Sequence, residues 1–303
     1  MNTALPTTLP NIDLASVFTE VTLDEQLQLN SDGSGLRLFH LQVRNNKFDY
    51  ASLEDLLMNR LGHFVLSRAQ IAQYEIEGNL GSIGLQASRF LRRPENQELK
   101  ENALGNFMLH AFLELALGAP KLLSKIEIAE VSGTRQILCD AVHLLDQSTG
   151  SKLRANLIFG ASNVVGDFGD TVDLALERAV AIAENEDAEC KLVDQNILQQ
   201  RFEPKTTEYL KNLLLPTAAN SANYDVGFGL FLAYDLGLDP TLYQREEFPQ
   251  VMEQKLKQDL RAHIGHIRDE IQNRGLGIYP FYIYTLPMND AESDRVTITE
   301  AVL

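Results

Sequence analysis

Asp140 sits where an acid needs a chemical reason. It lies in the apolar run Ile137-Leu138-Cys139-Asp140-Ala141-Val142, and at strand spacing it shares a face with Leu138, Val142 and Leu144. An ionised carboxylate among such neighbours is costly unless it is paired, hydrated or bound to a metal. Beyond a polar turn, a second alternating run carries Leu153, Ala155, Leu157, Phe159 and Ala161 inward, and it closes on Gly160-Ala161-Ser162-Asn163. An acid on one strand and polar residues ending the next match the geometry of a metal-dependent phosphodiesterase. There acids hold Mg²⁺, and a lysine two residues beyond an acid orients the attacking water. A strand-end aspartate that simply meets a turn is the plainer reading, and this stretch alone leaves both open.

Other candidates carry less. Asn102, Asn106, His110 and Glu114 recur at every fourth residue, so they form a polar stripe beside an apolar helix face. That stripe is either a solvated edge or the lining of a polar site. His263 and His266 lie three apart on a helical segment, half of a metal site with nothing to complete it, and solvation is the expected state. Tyr279, Phe281, Tyr282 and Tyr284 could stack on bases, but their spacing suits packing within a sheet. Cys139 is expected in the core. The glycines between 78 and 84 mark a loop and lack the strand, Lys-Ser/Thr pair and spacing of a phosphate cradle. No Gly-x-Ser-x-Gly elbow occurs, which leaves a serine-hydrolase reading without support.

The elements that must position Asp140 follow from hydrophobic periodicity. It predicts helices over residues 52–73, with a break near Gly62, and over 97–117, with an apolar face through Leu99, Ala103, Leu104, Phe107, Met108, Ala111, Phe112 and Leu115. Strands are predicted at 36–43 before a turn at Asn45-Asn46, at 126–131, and in the two runs around Asp140 and Ala161. A helix starting at Gly169-Asp170 precedes an interior strand at 224–234. A long helix follows, carrying Phe248, Met252, Leu256, Leu260, Ile264, Ile267 and Ile271, with Pro249 near its start and Gly275 past its end. The last strand, 278–286, contains Pro280 and is expected at an edge or a bulge. This order predicts a mixed α/β, or α+β, fold around one sheet flanked by helices. Residues 1–95 read as an N-terminal arm and α/β extension, and 96–303 as the main domain.

Composition narrows the function classes. The chain of 303 residues has 26 Lys and Arg against 42 Asp and Glu, a formal charge of −16. Residues 1–30 have four acids and no Lys or Arg; 31–160 are balanced at 14 each; 161–303 hold 12 basic and 24 acidic residues. A protein that binds nucleic acid unaided normally brings a basic surface to the phosphates. Any DNA contact here is therefore expected from a local patch or through a basic partner. Two cysteines make no disulfide framework, no run is long and apolar enough for a membrane span, and the N-terminus lacks signal-peptide features; a cytoplasmic protein is expected.

Between residues 101 and 286 the chain resembles the effector subunits of Hachiman-type antiphage defence (HamA) and the related abortive phage-resistance protein A. The resemblance runs through Gly105-Asn106-Phe107-Met108-Leu109-His110 and Ala119-Pro120-Lys121-Leu122-Leu123-Ser124-Lys125-Ile126. It continues through Asp140-Ala141-Val142-His143, Gly160-Ala161-Ser162-Asn163, Tyr224-Asp225-Val226 and the final aromatic strand. It implies a PD-(D/E)xK nuclease-like fold, Mg²⁺-dependent DNA cleavage and a superfamily 2 helicase as partner. The family pattern implies a catalytic set of Glu at the position of Asn106, Asp at Asp140, Glu at Ala161 and Lys at Asn163. Here only Asp140 keeps the expected type, and it would be the metal ligand. Two expectations follow. One is a nuclease-fold subunit that pairs with a helicase, and touches DNA through that complex, without cutting. The other is an active or deliberately disabled Mg²⁺-dependent nuclease, in which Glu101 or Asp167 joins Asp140 and Lys125 or Lys152 supplies the missing charge.

Overall fold

Alternating apolar residues at Ala155–Val164 and Tyr224–Asp235 form the two longest strands of the structure, and both are buried on two faces. The computed structural model describes residues 5–9, 14–23, 29, 35–132, 138–148, 154–215 and 224–303. In chain order the strands are β1 (Phe18–Val21), β2 (Leu36–Leu41), β3 (Val43–Arg44), β4 (Lys47–Phe48), β5 (Lys121–Ser124), β6 (Ala141–Asp146), β7 (Ala155–Val164), β8 (Tyr224–Asp235) and β9 (Phe281–Met288). The helices are α1 (Ala51–Val65), α2 (Arg68–Ile76), α3 (Ile83–Leu91), α4 (Gln97–Glu101), α5 (Ala103–Leu115), α6 (Lys125–Ser132), α7 (Phe168–Glu184), α8 (Glu186–Cys190), α9 (Gln195–Arg201), α10 (Pro204–Leu214), α11 (Phe248–Asn273) and α12 (Ala291–Val302).

Seven strands make one mixed sheet in the order β1-β2-β9-β8-β7-β6-β5. β5, β6 and β7 form an antiparallel meander; β8 returns parallel to β7, β9 parallel to β8, and β2 parallel to β9. β8 is the central strand, as its apolar residues on both faces predict. Strands on both sides of residue 95 share this sheet, because β1 pairs with β2 and β2 with β9.

Helices cover both faces. On one face lies α5, buried from Ala103 to Glu114 and apolar except for its stripe of Asn106, His110 and Glu114. Gly160 of β7 lets it approach: a Cβ there would stand 2.6 Å from a methyl of Leu109 and 3.3 Å from the Ala141 Cβ. On the other face α7 packs against β7 and β8, and α11, with seven buried apolar residues, packs on α7.

Several elements depart from the periodicity. Residues 126–131 are not a strand: they lie in α6, and the strand is displaced upstream to Lys121–Ser124. The cause is a capping box. The Ser124 hydroxyl accepts from the Glu127 N–H (3.3 Å) and the Glu127 carboxylate accepts from the Ser124 N–H (3.0 Å). The helix predicted at 97–117 is broken at Asn102 into α4 and α5. The helix from 52 breaks at Leu66 and not at Gly62, because Ser67 and Gln70 form a second capping box that starts α2. Gly78, at φ +67°, ends α2, and a single 3₁₀ turn leads from the loop into α3. β9 is interior, not an edge; Pro280 stands just before it, where it gives up no ladder donor and its carbonyl accepts from the Phe228 N–H. The Asn45-Asn46 turn falls as expected, with both residues at positive φ between β3 and β4.

Candidate active site

Asp140 stands one residue before β6. Its N–H donates to the Gly160 carbonyl (2.7 Å), just beyond the Ala141–Gly160 pair at which the β6–β7 ladder begins. The antiparallel hairpin thus brings Asp140 to the Gly160–Asn163 end of the next strand, as the sequence spacing implies. The carboxylate is 4 % exposed and accepts from five donors. The Ser162 N–H (2.9 Å) and hydroxyl (3.1 Å) bind Oδ2. Arg178, in the third turn of α7, bridges both oxygens at 2.7 and 2.5 Å. Lys125, at the start of α6, reaches Oδ1 at 3.1 Å.

Burial alone would raise the Asp140 pKa. The charges of Arg178 and Lys125 and the Ser162 bonds outweigh it and hold the group below the ordinary carboxylate value. Arg178 answers with the opposite balance: burial weakens its charged form, and Asp140 more than restores it.

The neighbouring positions divide between two faces of the sheet. Asn106 of α5 is 2 % exposed, and its side-chain oxygen, 3.0 Å from the Ser162 hydroxyl, shares that group's single hydrogen with Asp140. Ala161 is buried on the α7 side. Asn163 follows it there, oriented so that its amide donates to the Ser162 carbonyl (3.0 Å) and accepts from the Ala175 N–H (3.1 Å). Asn102, Asn106, Lys125, Asp140, Ser162, Asn163 and Arg178, but not Ala161, line a cleft of about 410 Å³, with Glu98 and Glu177 at its exposed rim.

Of the relocated partners expected for Asp140, Lys125 is present. Glu101 is held instead by the Gln97 amide on the exposed side of α4 (2.7 Å), and Asp167 caps α7 through the Asp170 N–H (3.0 Å). Lys152 lies outside the described residues. Arg178 escaped the sequence reading. Its signal was present, since it is the only basic residue among eight acids between 161 and 190.

From Asn106 onward the polar stripe is buried and is not a solvated edge, while Asn102, just before α5, is exposed. Asn102 and Asn106 end in the cleft; His110 and Glu114 run on beneath it, 1 % and 2 % exposed. Glu114 accepts from the N–H (2.7 Å) and hydroxyl (2.9 Å) of Thr8, the Leu9 N–H (2.8 Å) and the Lys121 N–H (2.8 Å). The N-terminal segment at Thr8 and Leu9 is therefore tied to α5. Lys121 is fully buried; its ammonium pairs with Glu127 (2.9 Å) and donates to the His63 (2.9 Å) and Leu66 (3.0 Å) carbonyls where α1 ends. The His110 and His143 rings lie tilted at 51° to each other with centroids 5.4 Å apart. Burial pushes both imidazoles down, His143 to about 4.

The remaining candidates are structural. The His266 Nε2 pairs with Asp173 (2.8 Å), tying α11 to α7, and His263 packs edge-on against Phe168. Phe281 and Tyr284 are buried in the sheet, Tyr279 donates to Glu186, and Cys139 is buried with its thiol directed at Glu189. Among the described residues no group of three or more His, Cys, Asp or Glu could hold a metal ion, and no helix is long and apolar enough to cross a membrane.

A family model described as HamA matches residues 16–302, nearly the whole chain. The chain belongs to the HamA family. No curated protein and no solved structure matches it. Membership associates this HamA chain with antiphage defence. The Mg²⁺ expected from the resemblance does not fit the residues present. A hard divalent cation needs several oxygen ligands with compensating negative charge. This HamA chain has one carboxylate at the position, both of its oxygens already bound by cations, and a methyl group at Ala161.

Proposed function

We propose that this chain is the nuclease-fold subunit of an antiphage system, that it pairs with a superfamily 2 helicase, and that it acts without cutting DNA itself. The strand order β5-β6-β7-β8, with α5 before it, α6 between β5 and β6 and α7 to α10 between β7 and β8, and with Asn106, Asp140 and the end of β7 converging on one cleft, supports the PD-(D/E)xK reading. The observation that carries the non-cutting reading is the saturation of Asp140 by Arg178 and Lys125. The other carboxylates lining the cleft, Glu98 and Glu177, stand at its exposed rim, and its lysine, Lys125, is already paired with Asp140. The net charge of −16 supports a role within a complex, because an acidic surface suits a basic protein better than it suits DNA.

One observation favours the alternative, an active nuclease. Lys125 stands close enough to Asp140, at 3.1 Å, to replace a displaced catalytic lysine. In this arrangement its charge is directed at the carboxylate, and no second acid accompanies Asp140 at the floor. The test is expression of the tagged chain with its neighbouring genes, followed by purification. A helicase is expected to co-purify in stoichiometric amount, and the complex is expected not to cleave DNA. Recovery of the chain alone from such cells would contradict the pairing.

A further inference from the structure

Four oxygens surround the two terminal nitrogens of Arg178: both carboxylate oxygens of Asp140, at 2.7 and 2.5 Å, the Ser162 carbonyl at 3.3 Å and the Leu138 carbonyl at 3.2 Å. Each terminal nitrogen has two hydrogens, so all four are used. A carboxylate beside backbone carbonyls at two converging strand ends is also the set of hard oxygens that a divalent cation takes. We propose that Arg178 is a built-in replacement for the divalent cation, its guanidinium holding Asp140, Leu138 and Ser162 together as a metal would. This rests on the nuclease-fold reading of the cleft.

Three observations converge on it. The guanidinium comes from α7, the helix packed on β7, and it reaches the carbonyl of Ser162, next to Ala161. Arg178 balances the Asp140 charge one for one, and Lys125 adds a second cation, so the carboxylate needs no divalent ion for neutrality. Lys125 also donates to the Cys139 carbonyl (3.2 Å), so both cations brace the backbone entering β6 as well as its acid. The site is thereby assembled without metal, and the chain folds into its working form independently of Mg²⁺.

The test is Mn²⁺ binding to the purified chain, read by thermal unfolding and by loss of the free-ion magnetic resonance signal. Wild type and Asp140→Asn are expected to respond alike. Binding by wild type that Asp140→Asn abolishes would overturn the proposal. Arg178→Ala is expected to gain a site, seen as a rise of several degrees in Tm at saturating Mn²⁺ that the added Asp140→Asn change removes. A folded Arg178→Ala chain without that gain would overturn it. Should Arg178→Ala not fold unaided, it is refolded with and without Mn²⁺; recovery with the ion is expected, and no recovery in either counts against the proposal. Cleavage is not part of the readout. A chain that bound Mn²⁺ through Asp140 and still did not cut would end this inference and leave the defence reading standing.

Discussion

The two oxygens of Asp140 decide the chemistry open to this site. A carboxylate that accepts from five donors has no lone pair left to position a water or an ion, and its charge is already balanced. Arg178→Ala leaves a buried acid with Lys125 as its remaining ionic partner. Removing one member of a buried pair costs about 3–5 kcal/mol, and Arg178 is partly exposed, so a loss of about 3 kcal/mol is expected by urea denaturation. Arg178→Lys should recover part of it, since an ammonium cannot bridge both oxygens and two carbonyls. Asp140 itself and the polar end of β7 were legible in the sequence, because alternation places them on adjacent strands and an acid there is conspicuous. Arg178 was not, because its partner lies 38 residues away and only the packing of α7 on the sheet joins them.

At the scale of elements, α5 links the cleft to the N-terminal segment. One polar stripe runs from Asn106, bonded to Ser162, down to Glu114, which holds Thr8 and Leu9. Glu114→Ala removes the acceptor for three backbone N–H groups and leaves them buried without partners. A loss of roughly 3 kcal/mol or more is expected, with amide exchange at Thr8 and Leu9 rising well above that of β8. Unchanged exchange at Thr8 and Leu9 would show that the segment is held by something else. Which elements the sequence disclosed follows from where their determinants lie. α11 keeps its apolar spacing over 26 residues and needs no partner to be recognised. α6 was mistaken for a strand because Ile126, Ile128 and Val131 look strand-like, while the capping pair Ser124 and Glu127 decides the outcome. α12 went unread; its charged first turn hides a helix that Asp290 caps through the Ser293 N–H.

At the scale of the whole molecule, nonlocal pairing completes the sheet: β1 and β2 join β9 across more than 240 residues, which no local pattern could disclose. The helix and strand order around the cleft was legible because each element has its own period. The buried histidines give the fold a pH dependence with a definite sign. His110 and His143 stay neutral when folded, with His143 lowered to about 4, while the unfolded chain titrates near 6.5. Below that value the unfolded state takes up protons that the fold refuses. Stability is therefore complete above about pH 6.5 and falls as pH drops toward 4, with His143 alone contributing about 2 kcal/mol of loss by pH 5. Urea midpoints at pH 7.5 and 5 are expected to show this decline, and His110→Gln with His143→Gln to flatten it. The Asp140 contribution has its own window: its pKa is depressed, so it persists at these values and is lost only as pH falls below the ordinary carboxylate range. The most direct test of a HamA chain whose site holds its own cation is cleavage of supercoiled plasmid by the purified complex in Mg²⁺ or Mn²⁺, with Asp140→Ala in parallel. The plasmid is expected to stay supercoiled in both. Nicked or linear product from wild type that disappears with Asp140→Ala would contradict the account.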